Sequence, residues 1–148
     1  MEVLDPEHSG INLFDENWKI YSRNSGHTGH FIGEHAQVKD SMITDGCVIK
    51  GNVDHSVLFS GVVVEEGACV EDAVVMGNTV IKRGAKVMHC IVAENAVIGQ
   101  DAVVGMKPED GTTGDVATIA PYVTIGDRAV IGPKAMVYND VEEGQEQC

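Results

Sequence analysis

The stretch VEDAVV, residues 70–75, sets a valine, a mostly polar turn-forming pair, a small residue and two further apolar residues in order. The pattern recurs as VKDSMI from Val38, VDHSVL from Val53 and VMHCIV from Val87, with starts 15, 17 and 17 residues apart. One copy would read as a half-buried strand. Four copies at a nearly fixed spacing are the mark of a repeat architecture, in which each unit buries its apolar face against the next.

Working outward, an aliphatic residue opens each short unit: Ile32, Val38, Ile43, Ile49, Val53, Leu58, Val64, Val70, Val75, Ile81, Val87, Val92, Ile98 and Val104. Most steps are five or six residues, and three steps make about 17. The beat resumes at Ile119, Ile125, Ile131 and Val137, six residues apart each time. Two positions before most of these lies a small side chain, as at Ser56, Ala68, Ala73, Ala85, Cys90, Ala96 and Ala129. Side chains two apart on a strand point the same way, so small and aliphatic residues alternate along one inward face. No 3.6-residue period competes with this reading. Three strands of about six residues per coil, with small residues admitted to a narrow interior, predict an all-β triangular solenoid of about six coils.

Residues 1–31 do not fit the coil template and are expected to link or cap the solenoid; they carry the single tryptophan, Trp18, beside Phe14 and Tyr21. The coils are expected over 32–138, with an excursion loop at 105–116, GMKPEDGTTGDV, whose Gly, Pro, Thr and acidic residues break the period. Residues 139–148 are expected to be a polar tail.

The formal net charge of −13 argues against nucleic acid or an anionic membrane as partner, since the surface would repel both. No apolar run approaches the roughly 20 residues that span a bilayer, and MEVLDPEHSG lacks the regions of a signal peptide, so a cytoplasmic location is expected. The cysteines, Cys47, Cys69, Cys90 and Cys148, form no CxxC pair and are expected as free thiols.

The outward residues separate three sides. A methionine side presents Met42, Thr44, Val57, Phe59, Val74, Met76, Ile91 and Ala93. A valine side presents Val48, Lys50, Val63, Glu65, Val80, Lys82 and Val97, and a polar side Gln37, Lys39, Asn52, Asp54, Cys69, Glu71, Lys86 and Met88. Only the first is apolar throughout. An outward apolar row over four coils exceeds what a soluble monomer leaves open, so Met42, Val57, Phe59, Val74, Met76 and Ile91 are expected to form an interface.

Candidate chemistry is sparse. His27, His30 and His35 in GHTGHFIGEH do not match the ordered ligand sets of structural zinc. His55 and His89 fall at matching corners with Asp40 and Asp72, predicting an outward Asp/His ladder whose alternating charges have a sufficient structural role. Neither GxSxG, a Walker A loop nor GxGxxG is present, and no catalytic, cofactor-binding or metal-binding residue is assigned.

The hexapeptide pattern resembles that of left-handed parallel β-helices, found in acyltransferases, γ-class carbonic anhydrases and sugar nucleotidyltransferases. Left-handed coiling is what this resemblance implies, since chain physics alone favours right-handed crossovers. An acyltransferase of this kind would need a general-base histidine, His55 or His89, and a pantetheine groove between chains. More closely, NLFDENWKIYSRN followed by FIG, VKDSMITDGCVIKGNVDHSVLFSGVVVEEGACVEDAVV and AENAVIGQDAVVG resembles the carboxy-terminal region of bacterial glucose-1-phosphate adenylyltransferase over residues 12–137. That resemblance implies a non-catalytic oligomerisation and regulatory domain of an enzyme of glycogen or starch synthesis, which makes ADP-glucose and pyrophosphate from ATP and glucose 1-phosphate with Mg²⁺. The expected partners are an amino-terminal catalytic domain, from which this chain is separated, and sister subunits in a homo- or hetero-oligomer. The family's GGxGTRL-type phosphate loop is absent from this sequence, so the chain alone is expected to be inactive and to hold no cofactor. Regulatory ligands in that family are anionic and bind near the domain junction, which makes Lys19 and Arg23 the candidate effector contacts. The alternative is a stand-alone hexapeptide-repeat acyltransferase.

Overall fold

The computed structural model describes residues 15, 17, 26–107 and 115–148. Phe14, Trp18, Lys19, Tyr21 and Arg23 lie outside the described residues, as does the middle of the expected excursion loop.

Every described strand is two or three residues long, and every strand pair is parallel. Short strands separated by turns at each sixth residue or so leave no room for antiparallel return. Each strand therefore finds its partner one full coil later. The valine side stacks Phe31–Ile32, Val48–Ile49, Val63–Val64, Val80–Ile81, Val97–Ile98 and Thr124–Ile125. The polar side stacks Val38–Lys39, Asn52–Asp54, Cys69–Glu71, Lys86–Met88, Val103–Val104, Val130–Ile131 and Glu146–Gln147. The methionine side stacks Met42–Ile43, Val57–Leu58, Val74–Val75, Cys90–Val92, Ala117–Ile119 and Met136–Val137. The result is a left-handed parallel β-helix of about six coils. With strands roughly 4.8 Å apart, the prism is on the order of 30 Å long.

VEDAVV occupies one corner and the start of one side of the third coil, which is why its pattern returns. Val70 pairs with Val53 and Val87, and Val74 with Val57 and Ile91. The aliphatic residues that keep the beat from Ile49 to Val137 are all buried, and so are the small residues from Cys47 to Ala135. Two of the small positions are polar and both are satisfied: Ser56 Oγ donates to the Asp54 carbonyl at 2.7 Å, and Thr79 Oγ1 to that of Ala93 at 2.9 Å. A short hydroxyl thus serves an adjacent turn without leaving a buried polar group unpaired.

The corner between the polar and methionine sides is turned by Asp40, His55, Asp72 and His89, all in the left-handed region with φ of 43 to 50°. Asp, Asn and His tolerate this region better than other non-glycine residues, which accounts for their recurrence there. Gly99 answers a different need. Its φ is negative, but a Cβ there would lie 2.5 Å from the Gly126 backbone one coil on.

Residues 139–148 correct the expectation of a tail. Val141 is buried and bridges Ile125, and Glu146–Gln147 pairs with Val130–Ile131, so the segment begins another coil over the last full one. Polar side chains concealed this from the sequence because their backbone, rather than their side chains, makes the stack. The coil also opens earlier than Ile32: the Thr28 carbonyl accepts from the Gly46 amide at 2.7 Å. Among the described residues no helix is long and apolar enough to cross a membrane.

Candidate interaction face

On the methionine side, register aligns Met42, Val57, Val74, Ile91, Thr118 and Met136 in one outward column. A second column follows two residues on, running Thr44, Phe59, Met76, Ala93, Ala120 and Tyr138, because each amide bonds the carbonyl of the next coil's inward residue. The six residues expected at the interface therefore do share one face. None of these twelve side chains is a carboxylate, a lysine or an arginine. Phe59 is 46% exposed, Met136 68% and Tyr138 70%. Those last two, with Thr118 and Ala120, extend the face past the excursion loop. They escaped the sequence reading because the loop breaks the period, although they flank Ile119 and Val137 just as Val57 and Phe59 flank Leu58.

The neighbouring sides differ in charge. On the valine side, the column after Val48, Val63 and Val80 is Lys50, Glu65 and Lys82, and a shallow depression of about 240 Å³ lies among Val48, Lys50, Val63, Glu65, Glu66 and Arg83. Arg83 faces Glu66 at 3.8 Å, so the depression is of mixed sign.

The Asp/His ladder is present at the expected corner. His55 Nδ1 lies 2.5 Å from Asp72 Oδ1, with both side chains partly exposed. The excursion loop leaves immediately above this ladder, and its first basic residue, Lys107, reaches back to the Glu71 carboxylate. Glu71, helped by Asp72 and Asp54, holds the Lys107 ammonium pKa above its ordinary value. At the other end of the loop Asp115 meets Lys134 at 2.6 Å. The corner is thus a charge-balanced anchor for the loop. Neither His55 nor His89 lines the depression on the valine side or the second one, bounded by Gln100, Asp101, Asp127, Arg128 and Glu143.

His27 lies across the corner at Gly46, where an added Cβ would meet it at 2.7 Å, while His30 and His35 are exposed. Among the described residues no three His, Cys, Asp or Glu side chains gather as a metal site. All four cysteines are free.

Residues 52% identical to glucose-1-phosphate adenylyltransferase of Bacillus mycoides (strain KBAB4) run over 73 positions, 49% of this chain and 19% of that relative. The enzyme of the same name from Bacillus anthracis is 51% identical over 73 residues, again 19% of its length. The matched part lies toward the carboxy terminus of those enzymes. The chain thus matches about a fifth of the length of these relatives. Among solved structures, the acetyltransferase domain of PglB from Neisseria gonorrhoeae FA1090 superposes with a TM-score of 0.55 at 20% identity, covering 81% of this chain and 54% of that one. At that identity the likeness is one of fold. The family model described as "GlmU-like, C-terminal hexapeptide" matches residues 28–119, starting at the threonine whose carbonyl opens the first coil, and the chain belongs to that family.

Proposed function

We propose that this chain is the β-helix assembly and regulatory domain of an ADP-glucose-forming nucleotidyltransferase, working with an amino-terminal catalytic domain and with sister subunits. The observation that carries the reading is the 52% identity over 73 residues to part of glucose-1-phosphate adenylyltransferase. The uncharged methionine side supports it, because a face of that kind gains most by being covered. ATP, glucose 1-phosphate and Mg²⁺ belong, in this reading, to the catalytic domain, and the reaction is cytoplasmic. Lys19 and Arg23 would then meet an anionic effector near the domain junction.

The test is to co-express the chain with the catalytic part of the Bacillus enzyme truncated before its own hexapeptide region. A co-purifying complex that makes ADP-glucose, with the 148-residue chain inactive alone, is the expected result. Failure to associate, or ADP-glucose formation by the chain alone, would overturn the reading. Titration with coenzyme A in the same preparation examines the acyltransferase alternative, for which no binding is expected.

A further inference from the structure

The valine side carries a charge pattern that the methionine side lacks. Its outward apolar column runs Phe31, Val48, Val63, Val80 and Val97, and the column two residues on runs Gly33, Lys50, Glu65, Lys82 and Gly99. Lysine, glutamate and lysine thus stand on consecutive coils, roughly 4.8 Å apart. One residue further, at the corner, the coils carry Glu34, Gly51, Glu66 and Arg83. Lys82 pairs with Asp127 at 4.0 Å and Arg83 with Glu66 at 3.8 Å. Lys50 is exposed, and among the described residues no carboxylate pairs with it. Phe31, at the head of the apolar column, is 56% exposed.

A cover for this side must answer both columns at once. A second copy turned end for end, about an axis along the strands, brings each column against its own reverse; a copy related by an axis along the solenoid brings the apolar column against the charged one instead. Only the reversed copy sets apolar residues on apolar residues. With the axis between the second and third coils, Lys50 meets Glu65 of the second copy and Glu65 meets its Lys50, the reciprocity that an isologous contact requires. The same placement sets Val48 on Val63, covers Phe31 with Val80, gives Lys82 the space over Gly33 and brings Arg83 to Glu34. Moving the axis on by one coil would leave Lys50 facing Gly99 and set Glu34 against Asp127. We propose that the valine side is a two-fold self-association surface on which a second copy of this chain docks antiparallel, with Lys50 against Glu65. Two copies of a chain of net charge −13 repel over most of their surface, so a side that interleaves cations with acids favours their approach. An overlap of four strands is roughly 20 Å across, at the small end of specific interfaces, which makes the contact concentration-dependent. It stands whether or not a catalytic domain binds elsewhere on the chain.

The test is carbodiimide coupling of a concentrated mixture of isotope-labelled and unlabelled full chains. Lys50 and Glu65 are neighbours within one chain as well, so only a link between a labelled and an unlabelled peptide counts. Mixed links between Lys50 and Glu65 are expected, fading on dilution. The absence of mixed links on this side overturns the proposal, as does the coupling of Glu65 to Lys82 of the second copy in their place. Charge exchange gives a second reading by sedimentation, with Val57→Lys and Val74→Lys present throughout to silence the methionine side. Glu65→Lys and Lys50→Glu should each weaken self-association at least about tenfold, and the two together should restore it, with the β-sheet circular dichroism unchanged. A double exchange that associates as weakly as either single one would also sink the antiparallel contact.

Discussion

Cys90 occupies the column of small inward residues, where burial alone pushes its thiol pKa up from 9.0 to about 12. The consequence has a definite sign. Between those values the unfolded chain gives up the proton and the folded chain keeps it, so stability is untouched below pH 9 and falls as pH rises toward 12. The loss at the upper limit is on the order of 4 kcal/mol, measurable as a falling denaturant midpoint that Cys90→Ala makes shallower, the thiols of Cys47 and Cys69, also raised by burial, still contributing. A thiol reagent at neutral pH should modify the exposed Cys148 first and Cys90 only after unfolding. Ser56 sits in the same column with two bonds, accepting from the Ala73 amide at 3.1 Å as it donates to the Asp54 carbonyl. Ser56→Ala removes both and leaves a buried amide unpaired. A loss of about 1–3 kcal/mol is expected, lowering the melting temperature by several degrees.

Among the elements, the excursion loop is held by charge at both ends, by Lys107 on Glu71 and by Asp115 on Lys134. Such exposed pairs contribute less than about 1 kcal/mol each and weaken with salt. Glu71→Gln should therefore leave the melting temperature nearly unchanged while speeding limited proteolysis within residues 105–116 by a protease of broad specificity. Equal cleavage of the variant and the parent would show that the anchor does not hold the loop. The elements were legible in the sequence wherever side-chain identity sets the geometry. Val53, Val70 and Val87 declared their side of the coil, and Asp40, His55, Asp72 and His89 their corner. Legibility failed where backbone does the work. Glu146 and Gln147 join the stack through main-chain bonds that any residue could make, and Met136 and Tyr138 were masked by a ten-residue change of phase at the loop, seen in the step of 27 from Ile91 to Thr118 against 17 from Val74 to Ile91. The charged grip of Lys107 on a corner two coils away had no local signature at all.

For the whole molecule, the strands of each coil pair only with those of the adjacent coils, the reach of Lys107 to Glu71 being a side-chain contact across two, so stability grows with the number of contacts between adjacent coils. Deleting residues 63–79, one 17-residue coil, joins Val62 to Val80 in the register that Val63 held. A shorter folded solenoid with a lowered melting temperature is expected, and collapse to an unfolded chain would refute nearest-neighbour stacking. Assembly belongs to this scale too. Val57→Lys with Val74→Lys sets two charges in the middle of the methionine side without disturbing the interior. Sedimentation should then show a shift toward the single chain, while an unchanged mass distribution would remove that side as the interface.

The parallel register also fixes how far the chain must search as it folds. Outside the excursion loop each new coil closes a loop of 15 to 18 residues regardless of how many coils already exist, so adding length adds steps without adding distance. The excursion loop imposes one longer closure, of 27 residues. Closure entropy rises only with the logarithm of length, which makes that step harder by roughly 0.4 kcal/mol, about a factor of two in rate. Propagation from coil to coil therefore passes the loop with little delay, and large changes of sequence at that corner leave the folding route as it was.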